Sequence, residues 1–209
     1  MVARSGETQR PLPPGKMTFE EFLAWCDEDT WAEWVDGEVM MLSPASRRHQ
    51  DLRDFLVVLL RAFAESRERG TVWSAPFLMR LPNVPSGREP DLLFVVAAQQ
   101  DHLRETYLDG AADLVVEIVS PESRLRDRGE KFAEYELGGV GEYWLIDPDQ
   151  RGADFYRLDV GGRYQRVPVG AEGVYRSEVV PGFWLKVEWL WQEPLRPVLS
   201  VLGELGLLS

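Results

Sequence analysis

Apolar and polar positions in this chain follow two different periods, and the changes of period mark out its elements. The strongest helical signal runs from about Arg47 to Arg69. There Leu52, Phe55, Leu56, Leu59, Leu60 and Phe63 recur at three- and four-residue steps with Arg and Asp between them, and Gly70 closes the run. Upstream, Thr18 followed by Glu21 has the spacing of a capping box and predicts a short helix from Phe19 to about Asp27. Trp34 to Met41 reads as a hairpin turning at Asp36-Gly37, and Ser43-Pro44 ends it. Three strands are expected next, Val72–Leu81, Asp91–Val96 and Leu114–Val119, with a turn-rich loop over Pro82–Pro90. Their near-continuous apolar character predicts a sheet covered on both faces. A helix from about Arg126 to Leu137 and a central strand over Glu142–Pro148 follow. Phe155–Leu158, Arg163–Val167 and Gly182–Trp189 read as antiparallel strands at one side, and Pro197–Leu208 as a last short helix. The sum is one α/β domain over residues 17–209, a mixed central sheet flanked by helices with additional antiparallel strands. Residues 1–16, rich in Pro, Gly and polar residues, read as a loose N-terminal arm.

Composition narrows the function classes. A chain of 209 residues fits one domain with a sizeable core, and 44% hydrophobic with 28% charged residues is ordinary for a soluble globular protein. No apolar run reaches the roughly 18 to 20 residues of a membrane span, and the polar N-terminus does not read as a secretory signal. A cytoplasmic protein without a membrane partner is expected. The single cysteine, Cys26, excludes an internal disulfide and a cysteine-based zinc site. A net charge of −12 argues against a non-specific nucleic-acid coat protein, whose affinity would rest on Lys and Arg. It leaves a nuclease open, because a catalytic metal cluster requires acidic residues and a basic rim can be local.

Candidate chemistry lies where charge interrupts apolar strands. Period-two alternation puts Val115, Glu117 and Val119 on one face of their strand and Leu114, Val116 and Ile118 on the other. Glu117 is a lone carboxylate there, and it must be paired, protonated or bound to a cation. Asp91 opens another such strand directly after Pro90; if the two strands are neighbours, both carboxylates point at one spot. Mg²⁺ suits such a spot, since it takes one or two carboxylates and keeps waters and phosphate oxygens as its other ligands. Lys131 and Tyr135, four residues apart on the following helix, share a face. A lysine beside a metal-bound water either helps to deprotonate it or stabilises charge on a phosphate. Each residue also has a plainer reading: Asp91 as a turn-former, Glu117 in a buried ion pair with one of twenty arginines, Lys131 as a solvated helix residue.

The strings around these residues resemble a known family. Pro90-Asp91-Leu92-Leu93-Phe94-Val95, then Asp113 to Ser123 with Glu117 at its centre, then Asp127, Lys131 and Tyr135, then Gly139 to Pro148, are similar to the Uma-two family of endonucleases within the restriction-endonuclease-like PD-(D/E)XK superfamily. Glu33 to Glu38, and Ser43-Pro44-Ala45-Ser46 followed by His49, fit as well, so the resemblance covers roughly residues 17–190. It implies a restriction-endonuclease-like core with a Mg²⁺ or Mn²⁺ ion held by Asp91, Glu117 and the backbone carbonyl of Val119. Val119 also stands where the superfamily has its lysine, and Lys131 is the natural substitute. Glu33 and His49 are accessory candidates, the first as an extra carboxylate and the second beside a metal-bound water or phosphate. His102 receives no role.

The leading expectation is a Mg²⁺-dependent endodeoxyribonuclease acting as a homodimer, the dimer by analogy with a fold that often cuts two strands with two sites. The alternative is a catalytically inactive nucleic-acid- or protein-binding module that kept the fold; a purely structural, dimerising protein is a third. Convergence of Asp91, Glu117 and Lys131 in one cleft separates the first from the others.

Overall fold

A computed structural model describes residues 12–27 and 29–208, so residues 1–11 of the expected arm lie outside the described residues. The chain opens with α1 (Phe19–Trp25), the hairpin β1 (Ala32–Val35) and β2 (Glu38–Met41), and the long helix α2 (Arg47–Ser66). Then come β3 (Gly70–Ser74), β4 (Leu78–Leu81), β5 (Ser86–Arg88), β6 (Leu92–Val96), β7 (Tyr107–Asp109) and β8 (Leu114–Ile118). Helices α3 (Arg124–Arg128) and α4 (Glu130–Gly138) lead to β9 (Glu142–Asp147), β10 (Gly152–Leu158), β11 (Tyr164–Val167), β12 (Val174–Arg176), β13 (Trp184–Lys186) and α5 (Val198–Glu204).

Local chemistry accounts for several of these boundaries. The Thr18 hydroxyl accepts from the Glu21 N–H at 3.1 Å, and the Glu21 carboxylate accepts from the Thr18 N–H at 2.8 Å, completing the capping box. Asp36 and Gly37 both have positive φ, 47° and 85°, as a tight two-residue hairpin turn requires. Two expected elements break. Val72–Leu81 divides into β3 and β4 around Ala75-Pro76, where proline lacks the N–H that would continue the ladder, and the chain changes sheets there. The helix expected over 126–137 divides at Gly129, whose φ of −119° and ψ of −83° are not helical.

Six strands form the central sheet in the order β11-β10-β9-β8-β6-β3, with β8 and β9 parallel and the other pairs antiparallel. Its two faces are covered differently. Leu92, Phe94, Leu114, Val116, Ile118, Trp144 and Ile146 pack against Leu52, Leu56, Leu59 and Phe63 of α2, with Trp189 and the C-terminal Val201 and Leu202 completing that layer. On the opposite face Leu93, Val95, Val115, Val119, Tyr143 and Leu145 meet Tyr135 of α4 and Met79 and Leu81 of β4. Strand β4 belongs to a second, five-stranded sheet, β2-β1-β5-β4-β7, whose outer side is capped by Phe19 and Phe22 of α1. The supposed loop 82–90 thus contains β5, a wholly buried strand. Gly87 in it permits close approach, since a Cβ there would lie 2.4 Å from the Phe19 ring. The second sheet matters to function because it carries Glu33 and Arg88 over the face that bears Glu117.

Candidate active site

Strands β6 and β8 are antiparallel neighbours, with Leu92 opposite Val116. One step further in that register sets Asp91 opposite Glu117, on the same side of the sheet. The Asp91 Oδ2 accepts the Ile118 N–H at 2.7 Å and lies 3.1 Å from His49 Nε2. That oxygen is therefore fixed from two sides, and Oδ1 is the oxygen free of both contacts. His49 is delivered by the first turn of α2, where the Ser46 side chain caps the helix by accepting the His49 N–H.

Glu117 is almost wholly buried. Its Oε1 accepts from Lys131 Nζ and from the Tyr135 hydroxyl, both at 2.8 Å, which leaves Oε2 as the oxygen outside these two bonds. Lys131 and Tyr135 come from successive turns of α4, so the helix lays ammonium and phenol over the strand together. Lys131 is 3% exposed and also lies 3.0 Å from Glu33 Oε1 on β1, with Asp127 Oδ1 at 4.0 Å. Glu33 is further held by Arg88 at 2.9 Å and by the Glu89 N–H at 3.1 Å, and Arg88 forks onto Glu134 at 2.6 and 2.8 Å. Asp91, Glu117, Lys131, His49 and Val119 line one open cleft of about 650 Å³, together with Glu89 and Asp127. The three expected catalytic residues and the accessory Glu33, His49 and Tyr135 are thus brought together.

Arg88, Glu89 and Glu134 escaped the sequence reading. Their signal was the dense charge of Arg88-Glu89 before Pro90-Asp91, which a turn-rich composition masked. Asp127 stood in the family string without an assigned role; it is 1% exposed, and its Oδ1 has no hydrogen-bond partner among the described residues.

Charge in the cleft is unevenly matched. Burial raises the Glu33 carboxyl, but Lys131 and Arg88 outweigh it and hold the group down at about 2. For Glu117, burial dominates; Lys131 opposes it while Asp127, Asp91 and Glu33 add to it, and the group is pushed up to about 8. Glu89 rises to about 7 through burial and the neighbouring Glu33, with Lys131 opposing and Asp91 adding. Burial lowers the Lys131 ammonium, yet Glu117, Glu33 and Asp127 more than compensate, so it stays charged. Arg88 is taken up by Glu33 and Glu134, so Lys131 is the cation in direct contact with Glu117, while Arg126 acts on Asp127 from the cleft wall.

No three His, Cys, Asp or Glu side chains form a complete metal cage among the described residues. Mg²⁺ does not need one, since one or two carboxylates with waters suffice. The Asp91 and Glu117 oxygens not engaged by protein donors, beside the Val119 residue that lines the same cleft, are a donor set that fits it.

Comparison with known proteins agrees with this geometry. The family model Uma2, described as "putative restriction endonuclease", matches residues 19–188. Among solved structures, that of a putative nuclease from Anabaena variabilis ATCC 29413 is similar, with a TM-score of 0.71 and 15% identity over 84% of this chain and 97% of that one. At that identity the likeness establishes the fold. A search of curated proteins found no match. The matched span runs from the first residue of α1 to beyond β13 and contains every residue of the cleft's charge cluster, so the chain belongs to the Uma2 family, the putative restriction endonucleases.

Proposed function

We propose that this protein is a divalent-metal-dependent endonuclease that hydrolyses phosphodiester bonds in DNA, with Asp91, Glu117 and the Val119 carbonyl as metal ligands and Lys131 as the catalytic cation. The observation that carries this reading is the meeting of Asp91, Glu117 and Lys131 in one cleft, where burial, opposed by Lys131 and reinforced by the neighbouring carboxylates, pushes Glu117 up to about 8. A bound Mg²⁺ or Mn²⁺ would supply Lewis acidity toward a phosphoryl oxygen and lower the pKa of water. Lys131, held protonated between Glu117 and Glu33, stabilises negative charge on the phosphate and does not act as a base. His49 and the Ile118 N–H orient Asp91, and Tyr135 orients Glu117. A homodimer with one cleft in each copy is expected by analogy with the fold, and light scattering decides the oligomeric state.

Plasmid nicking in Mg²⁺ and Mn²⁺, beside calorimetric titration of each ion, tests the proposal on the wild type and on Asp91→Asn. Saturable binding with metal-dependent nicking is expected for the wild type, and loss of both for the variant. Neither binding nor nicking at millimolar metal would return the protein to the non-catalytic binding module.

The proton on Glu117 gives the metal site a pH dependence. A carboxyl raised to about 8 must lose its proton before it ligates, and Glu89, raised to about 7, adds a weaker contribution of the same sign. Metal affinity is therefore expected to rise by up to about tenfold per pH unit as pH approaches 8, and to level off above it. Calorimetry in buffers of different ionisation enthalpy counts the proton released per ion; a flat profile with no release would contradict the assignment of Glu117 as ligand.

A further inference from the structure

The mouth of the cleft has an apolar wall that the hydrolytic chemistry does not use. Trp31 and Met41 both line it and are 48% and 44% exposed. Both belong to the open end of the β1–β2 hairpin, where Met41 pairs with Ala32 and the Trp31 carbonyl accepts the Leu42 N–H at 2.9 Å. Trp31 directly precedes β1 and lines the same cleft as Glu117 and Lys131. Trp73, the other tryptophan among the exposed large hydrophobic residues described, stacks on Phe77 at 4.8 Å. Trp31 meets no aromatic ring among the described residues.

The floor and the charge of the cleft constrain what enters. Glu117 and Lys131 are 4% and 3% exposed, so a phosphodiester must be lowered into the cleft to reach them. Duplex DNA is stiff, with a persistence length of about 50 nm, whereas an unpaired strand can bend one phosphate inward. Following a duplex also calls for many phosphate contacts, and the net charge here is −12. The cleft offers three arginines. Arg48 is engaged by the Leu190 and Gln192 carbonyls, and Arg53 by Asp54. Arg126 has a buried Nε without a partner among the described residues, which suits a single phosphate at the floor better than a tracked backbone. Stacking on an aromatic face needs no such charge and tolerates any base.

We infer that the cleft takes an unpaired stretch of DNA strand, one base stacked on Trp31 while the adjoining phosphate descends to Asp91, Glu117 and Lys131, with Arg126 beside it. This inference rests on the nuclease reading and names its substrate class.

Fluorescence anisotropy with a labelled oligothymidine, and with the same strand in a duplex, tests it. The full chain is used in Ca²⁺, and gels verify that the probe stays intact. The single strand is expected to bind at least roughly tenfold more tightly than the duplex. Trp31→Ala should weaken single-strand binding by roughly 5- to 100-fold, and Trp31→Phe should retain most of it. Duplex binding and the Tm should not move, because the indole is half exposed. Equal affinity for duplex and single strand, an unchanged single-strand affinity in Trp31→Ala, or no binding of either probe would each overturn the inference. Nicking assays separate this failure from that of the underlying reading. Metal-dependent cutting without strand preference defeats only the unpaired-strand proposal, and tight Trp31-dependent binding without cutting of any substrate defeats only the nuclease.

Discussion

Glutamine in place of Glu117 is expected to abolish saturable Mg²⁺ or Mn²⁺ binding and to lower cleavage by roughly 10²–10³-fold or more, while leaving the metal-free protein about as stable at neutral pH. The combination follows from the protonation state. Without metal, burial and the surrounding carboxylates keep a proton on Glu117 up to about 8, so glutamine, with the same shape, resembles the form already present at pH 7. Its carbonyl oxygen still accepts from Lys131 and Tyr135, and Lys131 keeps Glu33 at 3.0 Å. Linkage adds a second reading of the same variant. A carboxyl raised from 4.5 to about 8 on folding binds a proton that the unfolded chain has released, so metal-free stability falls as pH rises through that window. Glu117→Gln should flatten this slope. In the wild type the Mg²⁺-induced rise in Tm should grow as pH approaches 8 and level off above it, and in the variant Mg²⁺ should not raise the Tm. Thermal melts across pH with and without metal, beside calorimetry and nicking, check all of this. A variant that kept metal binding would remove Glu117 from the ligand set, and a folded variant that lost cleavage without losing metal would reassign it to positioning.

The fold was legible in the sequence wherever a single period ran long enough. The α2 stripe from Leu52 to Phe63 and the strands around Phe94, Val116 and Trp144 form the two layers their patterns predict. Short segments were not legible. Tyr107–Asp109, Ser86–Arg88 and Val174–Arg176 are three-residue strands, too brief for alternation to register, and their pairing is decided by tertiary contacts. The site divides in the same way. Glu117 stood out because it interrupts an apolar run and Asp91 because it opens one directly after Pro90, whereas the burial of Lys131 could not be read from its own helix. That burial comes from the second sheet, which brings Glu33 from nearly a hundred residues away to meet the ammonium. Glu142 shows the limit of the rule that finds Glu117. It too is a buried carboxylate in an apolar strand, yet it accepts bonds from Trp144, Tyr175, Ser177 and the Glu178 N–H, and it ties β9 to the following segment. An isolated acid in a strand thus marks a charge that must be satisfied, and only the three-dimensional surroundings separate a satisfied one from a site.

Arg88→Met is expected to destabilise the protein by about 3–5 kcal/mol, the largest stability effect of any single substitution considered. Arg88 is fully buried, bonds Glu33 at 2.9 Å and grips Glu134 through two nitrogens at 2.6 and 2.8 Å. Methionine fills much of the volume but leaves Glu33, itself fully buried, with Lys131 and the Glu89 N–H as its donors. The cost depends on pH with a definite sign. Glu33 is held down from 4.5 to about 2, so the stability it contributes is present above 4.5 and is lost as pH falls toward 2. The penalty of Arg88→Met is therefore expected to be greatest near neutrality and to shrink in acid, as measured by urea unfolding at several pH values. Glu33→Gln in the Arg88→Met background should recover part of the loss, because removing both charges avoids stranding one. The catalytic consequence runs through Lys131. With Arg88 gone, Glu33 draws the ammonium more strongly and competes with Glu117 for it, so cleavage should fall in Arg88→Met even under conditions where the variant is fully folded. If cleavage per folded molecule were unchanged, Arg88 would be a structural clamp on the second sheet without influence on the cleft, and the coupling between the two sheets through Glu33 and Lys131 would not exist.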